Sequence, residues 1–416
     1  MPTAATATSP IAETFAPSDQ AELVDVVCRA VDDRTPLYPW GGQTALSFGT
    51  APKLRGWGLS TERLTGIVDY PARDMTITVE SGLTVAKLQA TLAAEGQFLP
   101  VDVAESDRAT IGGAVAVNFS GPRRFGYGTL RDYVIGISAV DGHGTPFKAG
   151  GRVVKNVAGY DFCKLLTGSL GTLAVITQLT LKVRPRPAAS VFLSTDVETN
   201  AEADRLLERL VHSQTTPSAV EWLAGPQWND LPGLPPIADS AAGRLLVGLE
   251  GTAREVEWMI QRLRQEWQEQ GATATQLVEG SEFESLRTRI TAFGCGTPPA
   301  GIVLKFNLLP SRVVGVAELV RSRFPAASVA CRAGSGIVLA LLPDTAVHEL
   351  AKSLLRDFQP AAVAAGGRVS VWNSPSPEEL TRQTAWGSTR DDDSVMQIVK
   401  RQFDPHNLLN PGRFIF

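Results

Sequence analysis

Apolar positions along the first half of the chain switch between a helical and an extended period. After Ser18, a candidate N-cap, Leu23, Val26, Val27, Ala30 and Val31 fall on one helical stripe. Residues 36–40 then read as a short buried strand running into Gly41-Gly42, and residues 67–68 and 75–79 carry strand patterns. Val85, Leu88 and Leu92 return to helical spacing, with Gly96 where a C-terminal glycine cap belongs. A further α/β stretch ends in a strand-like run over residues 173–183, and Arg184-Pro185-Arg186-Pro187 should end regular structure there. Beyond it, strands are predicted at 191–193, 245–249, 302–308 and 337–342, alternating with helices at 202–211, 255–269, 316–324 and 347–358. Residues 373–393 read as a loop, 395–402 as a last short helix, and the chain closes on Asp404-Pro405-His406-Asn407-Leu408-Leu409-Asn410-Pro411-Gly412-Arg413. The pattern predicts an α+β protein.

At 416 residues the chain exceeds the roughly 250–300 residues at which single cores stop growing, so more than one domain is expected. Boundaries are placed at the Arg-Pro run and near the end: 1–185, 186–384 and 385–416. Lys and Arg number 39 against 43 Asp and Glu, a net charge of −4 with no basic run, which argues against nucleic acid as a partner. Cys28, Cys163, Cys295 and Cys331 form no CxxC pair, so neither a zinc site nor an iron–sulfur cluster has its usual spacing; reduced thiols in the cytoplasm are expected. Residues 1–9 carry no Lys, Arg or apolar core, so no secretory signal is expected there, and no run of about 18 apolar residues suggests a membrane span.

Candidate chemistry begins with glycine. Neither G-x-G-x-x-G nor G-x-x-x-x-G-K-[ST] occurs, so a Rossmann site and a P-loop are unsupported. Glycine-rich stretches appear instead at Trp40-Gly41-Gly42-Gln43-Thr44, at Ala109-Thr110-Ile111-Gly112-Gly113 through Asn118 to Gly126-Tyr127-Gly128, and at Lys155-Asn156-Val157-Ala158-Gly159-Tyr160-Asp161 followed by Gly168-Ser169-Leu170-Gly171. Without Cβ atoms such stretches let backbone approach a ligand closely, and successive N–H groups can form an anion-binding nest. Each taken alone reads better as a tight turn.

Taken together, the stretches resemble the FAD-binding domain of the vanillyl-alcohol oxidase (PCMH-type) superfamily of FAD-linked oxidases, and the closing Asp404-Pro405…Asn410-Pro411-Gly412 segment is similar to the tail that returns to that domain. The resemblance covers about the first 185 residues and the last 15 or so. It implies a two-subdomain FAD-binding domain followed by an α+β cap with an antiparallel sheet. Within the superfamily, Lys155 to Asp161 and Gly121-Pro122-Arg123-Arg124 are similar to the FAD-binding E subunits of bacterial glycolate oxidases. Trp40, Gly41, Gly42, Gln43 and Thr44 would then hold the diphosphate. Thr110, Gly112, Gly113 and Asn118 would line the ribityl and phosphate path, with Tyr127 and Gly128 nearby. Val175 and Ile176 would lend backbone groups, and Asn410, with Arg413, would come from the tail. Members that tether FAD from the first loop use a His where this chain has Gln43, so FAD is expected to be non-covalent.

The histidines point the same way by being scattered. His143, His212, His348 and His406 form no pair, whereas the relatives that oxidise 2-hydroxy acids carry a His-rich C-terminal half to bind metal or carboxylate and to take the alcohol proton. No metal site is expected, and no catalytic residue can be assigned from sequence. Arg123 and Arg124 read as carboxylate ligands or as surface and phosphate cover, and Tyr160 as a flavin contact or a plain buried tyrosine. The resemblance therefore implies an FAD subunit that relays electrons, partnered by a catalytic FAD subunit and an iron–sulfur subunit of a glycolate oxidase. The alternative is a self-sufficient 2-hydroxy-acid dehydrogenase using Tyr160 and Arg124.

Overall fold

The structure is a computed structural model that describes residues 10–152, 159–238, 240–272, 274–296 and 300–415. The first helix, Gln20–Asp32, starts one residue later than its sequence signal, with Asp19 as N-cap accepting from the Glu22 amide. Its buried stripe of Leu23, Val26, Val27 and Ala30 covers a three-stranded parallel sheet in the order Ile11–Phe15, Gly56–Ser60, Leu37–Trp40.

A five-stranded antiparallel sheet follows, in the order Ile67–Asp69, Thr76–Glu80, Ala174–Lys182, Val134–Asp141, Pro146–Gly150. Its last two strands form a hairpin whose turn carries His143, and the helix Val85–Ala93, capped by Thr84, packs into the same core. The Arg-Pro run does not end regular structure outright: Arg184–Pro185 pair antiparallel with Gln97–Phe98, because an extended Arg-Pro segment still has free carbonyls.

From Ala189 the chain builds an eight-stranded antiparallel sheet, which runs Gln276–Glu279, Ala189–Val197, Gly243–Gly251, Ala219–Ala224, Ser328–Arg332, Ile337–Leu342, Ile302–Asn307, Arg368–Asn373. Alternation along its strands decides what each face buries. One face, with Trp222, Leu304, Phe306, Val338 and Val329, packs under the helices Asn200–Val211, Ala253–Glu269 and Val313–Arg323. The opposite face carries Phe192, Leu223, Ala330 and Leu339, but also Glu221, Lys305 and Arg332, and it looks toward the first half of the chain.

The tail returns. Leu37 donates to the Leu408 carbonyl at 2.7 Å and accepts from the Asn410 amide at 2.8 Å, adding residue 409 beside the first sheet. The segment read as a loop contains a short helix, Arg382–Trp386, and the last helix begins at Asp391, four residues before its apolar signal, because three aspartates form its first turn.

Candidate functional site

The loops that end the parallel sheet, the helix Ile111–Val117, the strand Ala174–Lys182 and the returning tail enclose a cleft of about 310 Å³. Trp40, Gly41, Gly42, Gln43, Thr44, Thr110, Gly112, Gly113, Val175, Ile176, Asn410 and Arg413 all line it. Residues from four separate stretches of sequence thus meet on one void. From the cap side, Cys295 closes its wall.

The glycines there do different work. A Cβ on Gly41 would lie 2.0 Å from Thr110 Oγ1, one on Gly42 would lie 1.7 Å from the Arg108 carbonyl, and one on Gly112 would lie 2.6 Å from the Ser81 Cβ. These three let the loops interlock. The amides of Ile111, Gly112 and Gly113 are engaged within the protein, on Leu83, Ser81 and the capping hydroxyl of Thr110, so this helix start offers contact surface and no open donors. By contrast, the backbone N–H groups of Gly42, Gln43 and Thr44 make no hydrogen bond to the described residues, and Gln43 takes a left-handed φ of 57°, a conformation found in anion-binding nests. Beside them Arg413 donates to the Ala45 carbonyl at 2.8 Å and has no carboxylate partner among the described residues. Burial pushes its guanidinium down to about 10. Ser81 Oγ, on the same wall, is buried without a partner.

Asn118, Tyr127 and Gly128 lie outside this lining. Asn118 ends the helix in the left-handed conformation, its Oδ1 buried and unpartnered near Gly168. Tyr127 faces the cap, where burial and the neighbouring Glu250 carboxylate raise its hydroxyl pKa. Gly128 (φ 88°) packs against the Asp132 side chain. Of the third glycine stretch, residues 153–158 lie outside the described residues; Tyr160 is 87% exposed and turned away from the cleft.

Two polar clusters that the sequence did not single out join the halves of the chain. In one, the buried Asp102 accepts from the Arg123 amide at 2.8 Å and from Arg287 at 2.6 Å, while Arg123 forks onto Glu250 at 2.6 and 3.0 Å. The Arg123 guanidinium is therefore committed to the cap and is not a carboxylate ligand. In the other, Arg124, Lys305, Arg332 and Glu221 gather where the cap sheet meets the segment after Asn118. Arg332 donates to the Ser120 carbonyl, and Arg124 donates to the Ser120 hydroxyl at 3.3 Å. Glu221 is fully buried with both oxygens unpartnered, and its burial pushes the carboxyl up to about 8.

All four histidines are exposed. Among the described residues no group of His, Cys, Asp and Glu could hold a metal ion, and no helix is long and apolar enough to cross a membrane.

Residues 11–150 match the family of FAD binding domains, and residues 385–414 match the C-terminal domain of FAD linked oxidases. Glycolate oxidase subunit GlcE of Escherichia coli is 36% identical over 187 residues, which is 45% of this chain and about half, 53%, of that relative. Glycolate oxidase subunit GlcD of Bacillus subtilis is 25% identical over 420 residues, covering 96% of this chain and 88% of the relative, and a D-lactate dehydrogenase of Archaeoglobus fulgidus is 28% identical over 96% and 90%. An alkyldihydroxyacetonephosphate synthase structure superposes with a TM-score of 0.70 at 17% identity over 96% of this chain and 75% of that one, which shows a shared fold. FAD fits the donor set: a diphosphate would give the open amides of residues 42–44 an acceptor and Arg413 a counter-charge.

Proposed function

We propose that this chain, an FAD-linked oxidoreductase whose residues 11–150 match FAD binding domains and residues 385–414 the C-terminal domain of FAD linked oxidases, is the FAD-holding subunit of a complex oxidising glycolate to glyoxylate. The complex would also contain a catalytic flavoprotein subunit and an iron–sulfur subunit. A flavin takes two electrons as a hydride and releases them singly, so it suits a station between a two-electron donor and a one-electron carrier. The carrier has to be on a partner, since Cys28, Cys163, Cys295 and Cys331 lie far apart in sequence and are all free thiols. The single observation that carries the reading is the cleft itself, where open amides at residues 42–44 and Arg413, which has no carboxylate partner among the described residues, come from opposite ends of a chain that is 36% identical over 187 residues to a glycolate oxidase subunit.

Gln43 in the first loop supports non-covalent FAD, because an amide cannot form the bond a His would. The reading places the protein in the cytoplasm, reaching a membrane only through its partners. Purifying a tagged chain from its native cells tests it. A yellow protein that brings down a second flavoprotein and an iron–sulfur protein, and releases its flavin to the supernatant on acid precipitation, is the expected result. A colourless protein that takes up no FAD overturns it.

A further inference from the structure

One acidic side chain on the wall of the cleft is left without a role by the reading above. Glu105 lines the cleft beside Ala104 and Ala109. Its Oε2 accepts from Arg108 at 2.8 Å, and Arg108 also donates to the Gly42 carbonyl at 3.4 Å, so the carboxylate is tied to the loop that carries the open amides. Its Oε1 is buried and has no partner among the described residues. Its backbone takes a left-handed φ of 50°, at a cost that Gly or Asn would not carry, and the Glu105 carbonyl holds the turn by accepting from the Arg108 and Ala109 amides at 2.8 and 2.7 Å.

A buried carboxylate oxygen is costly unless something donates to it. The diphosphate of FAD cannot, since it carries only acceptors and repels a carboxylate. FAD has donors elsewhere, in the hydroxyls of its chain and in the ring N–H of its isoalloxazine. Position decides between them. The cap reaches the cleft at Cys295, where burial pushes the thiol up to about 12 and the field of the Glu105 carboxylate adds to the rise. Val103, Ala104 and Glu105 also line a second cleft, of about 970 Å³, between the helices Val85–Ala93 and Gly280–Thr291. At this end, then, the two halves of the chain meet, and a single segment separates the FAD cleft from further open space. The ring has to exchange electrons with another molecule and belongs at such an end; the adenine exchanges nothing.

We propose that Glu105 faces the isoalloxazine ring and, as a fixed carboxylate at its edge, keeps the potential of the flavin low. The inference rests on FAD filling the cleft and deepens the relay reading. The oxidised ring has one N–H for Oε1 to accept, whereas the two-electron-reduced ring carries a negative charge that the carboxylate repels. Reduction is thereby disfavoured and delivery of the electrons favoured, which suits a station that hands them on. Arg108, the counter-charge of Glu105, is half exposed and screened by water. Lys305 and Arg332 lie on the other side, where the Cys295 thiol feels their opposing fields.

The test measures the potential of the bound FAD and needs no substrate. The purified chain with its FAD is reduced slowly without oxygen beside a reference dye, and the two absorbances are compared. E105Q removes the charge and keeps the shape; E105N removes it and suits the left-handed turn. D107N neutralises an exposed acid that lines the second cleft and not the first, and so controls for charge alone. At the dye setting where the native flavin is half reduced, both Glu105 variants should show a reduced-to-oxidised ratio higher by about tenfold or more, equivalent to about 30 mV for two electrons. D107N should stay within about twofold of the native ratio. Glu105 variants that match the native ratio, or a D107N shift as large as theirs, overturn the inference and leave the FAD assignment standing. Loss of FAD by both Glu105 variants shows a holding role in place of a tuning one and overturns it as well. A native chain that takes up no FAD overturns both readings.

Discussion

The carboxylate of Asp102, on the loop leading into the second glycine stretch, accepts a hydrogen bond at 2.6 Å from the guanidinium of Arg287, on a cap helix 185 residues further along the chain. Asp102 is fully buried. Burial alone would raise its pKa; the Arg287 and Arg123 guanidiniums and the Arg123 N–H together more than reverse that and hold it below the ordinary carboxylate range. The pair ties the segment after the helix Val85–Ala93 to the cap.

Removing the Asp102 carboxylate takes from Arg287 its buried partner and leaves it only the half-exposed Glu284. D102A is expected to lose about 3–5 kcal/mol, the range for breaking a buried ion pair from one side, as measured by chemical denaturation. A group whose folded pKa is depressed stabilises above its unfolded value and loses that contribution as pH falls through the folded one. The native protein should therefore lose stability below about pH 4, starting from the ordinary value of 3.8, and D102A should show a shallower acid limb.

Glu221 behaves in the opposite sense. Its folded pKa lies at about 8, above the ordinary 4.5, so its contribution is complete below about 4.5 and is lost as pH rises toward 8. The slope approaches about 1.4 kcal/mol per pH unit for one group held this way. E221Q mimics the protonated acid and should remove that slope. Melting temperatures of the two proteins between pH 5 and 8.5 would diverge, with the variant becoming the more stable at the alkaline end; parallel curves would show that the carboxyl is ionised in the fold.

With FAD in the cleft, Arg413 would supply charge at the diphosphate end. R413Q removes the cation, so FAD affinity should fall by about 10–100-fold, corresponding to about 1.5–3 kcal/mol for a charged hydrogen bond. Fluorescence titration of the apoprotein with FAD measures it. Because the cap sheet makes no use of Arg413, the far-ultraviolet spectrum of the variant should match the native one.

Much of the cleft was legible from local signals. The Trp40 to Thr44 turn, the Thr110 cap and the Asn410 tail each announce themselves within a few residues, through glycine, a capping hydroxyl and an Asn-Pro-Gly ending. What local signals could not show is which amides stay open: Gly112 and Gly113 look like a phosphate nest in sequence, yet their N–H groups bond to Ser81 and Thr110. Tyr127 and Arg123 sit beside glycines but turn to Glu250, a partner 127 residues beyond Arg123. Arg124, Lys305 and Arg332 share no local pattern, since only the register of antiparallel strands sets Arg332 beside Glu221 and brings Lys305 to the same face.

Lys400 tests whether the returning tail is part of the flavin site or only its neighbour. Its amine, on the last helix, donates to Asp404 at 2.6 Å, to the Thr172 carbonyl at 2.7 Å and to the Leu409 carbonyl at 2.9 Å, all in the interior. Asp404 in turn accepts from the amides of Leu408 and Leu409, so one ammonium fixes the backbone that pairs with Leu37 and presents Asn410 to the cleft. K400M removes the cation and leaves Asp404 buried with only those amides, a loss of about 3–5 kcal/mol. The other ties of the tail, to Leu37, Leu170, Ala45 and Thr50, are scattered hydrogen bonds, so the variant should release it locally before the molecule unfolds. Hydrogen exchange would then show faster exchange at residues 404–413 with the eight-stranded sheet unchanged, and FAD affinity would drop because Arg413 travels with the tail. Faster exchange without loss of FAD would show that the tail merely covers the cleft.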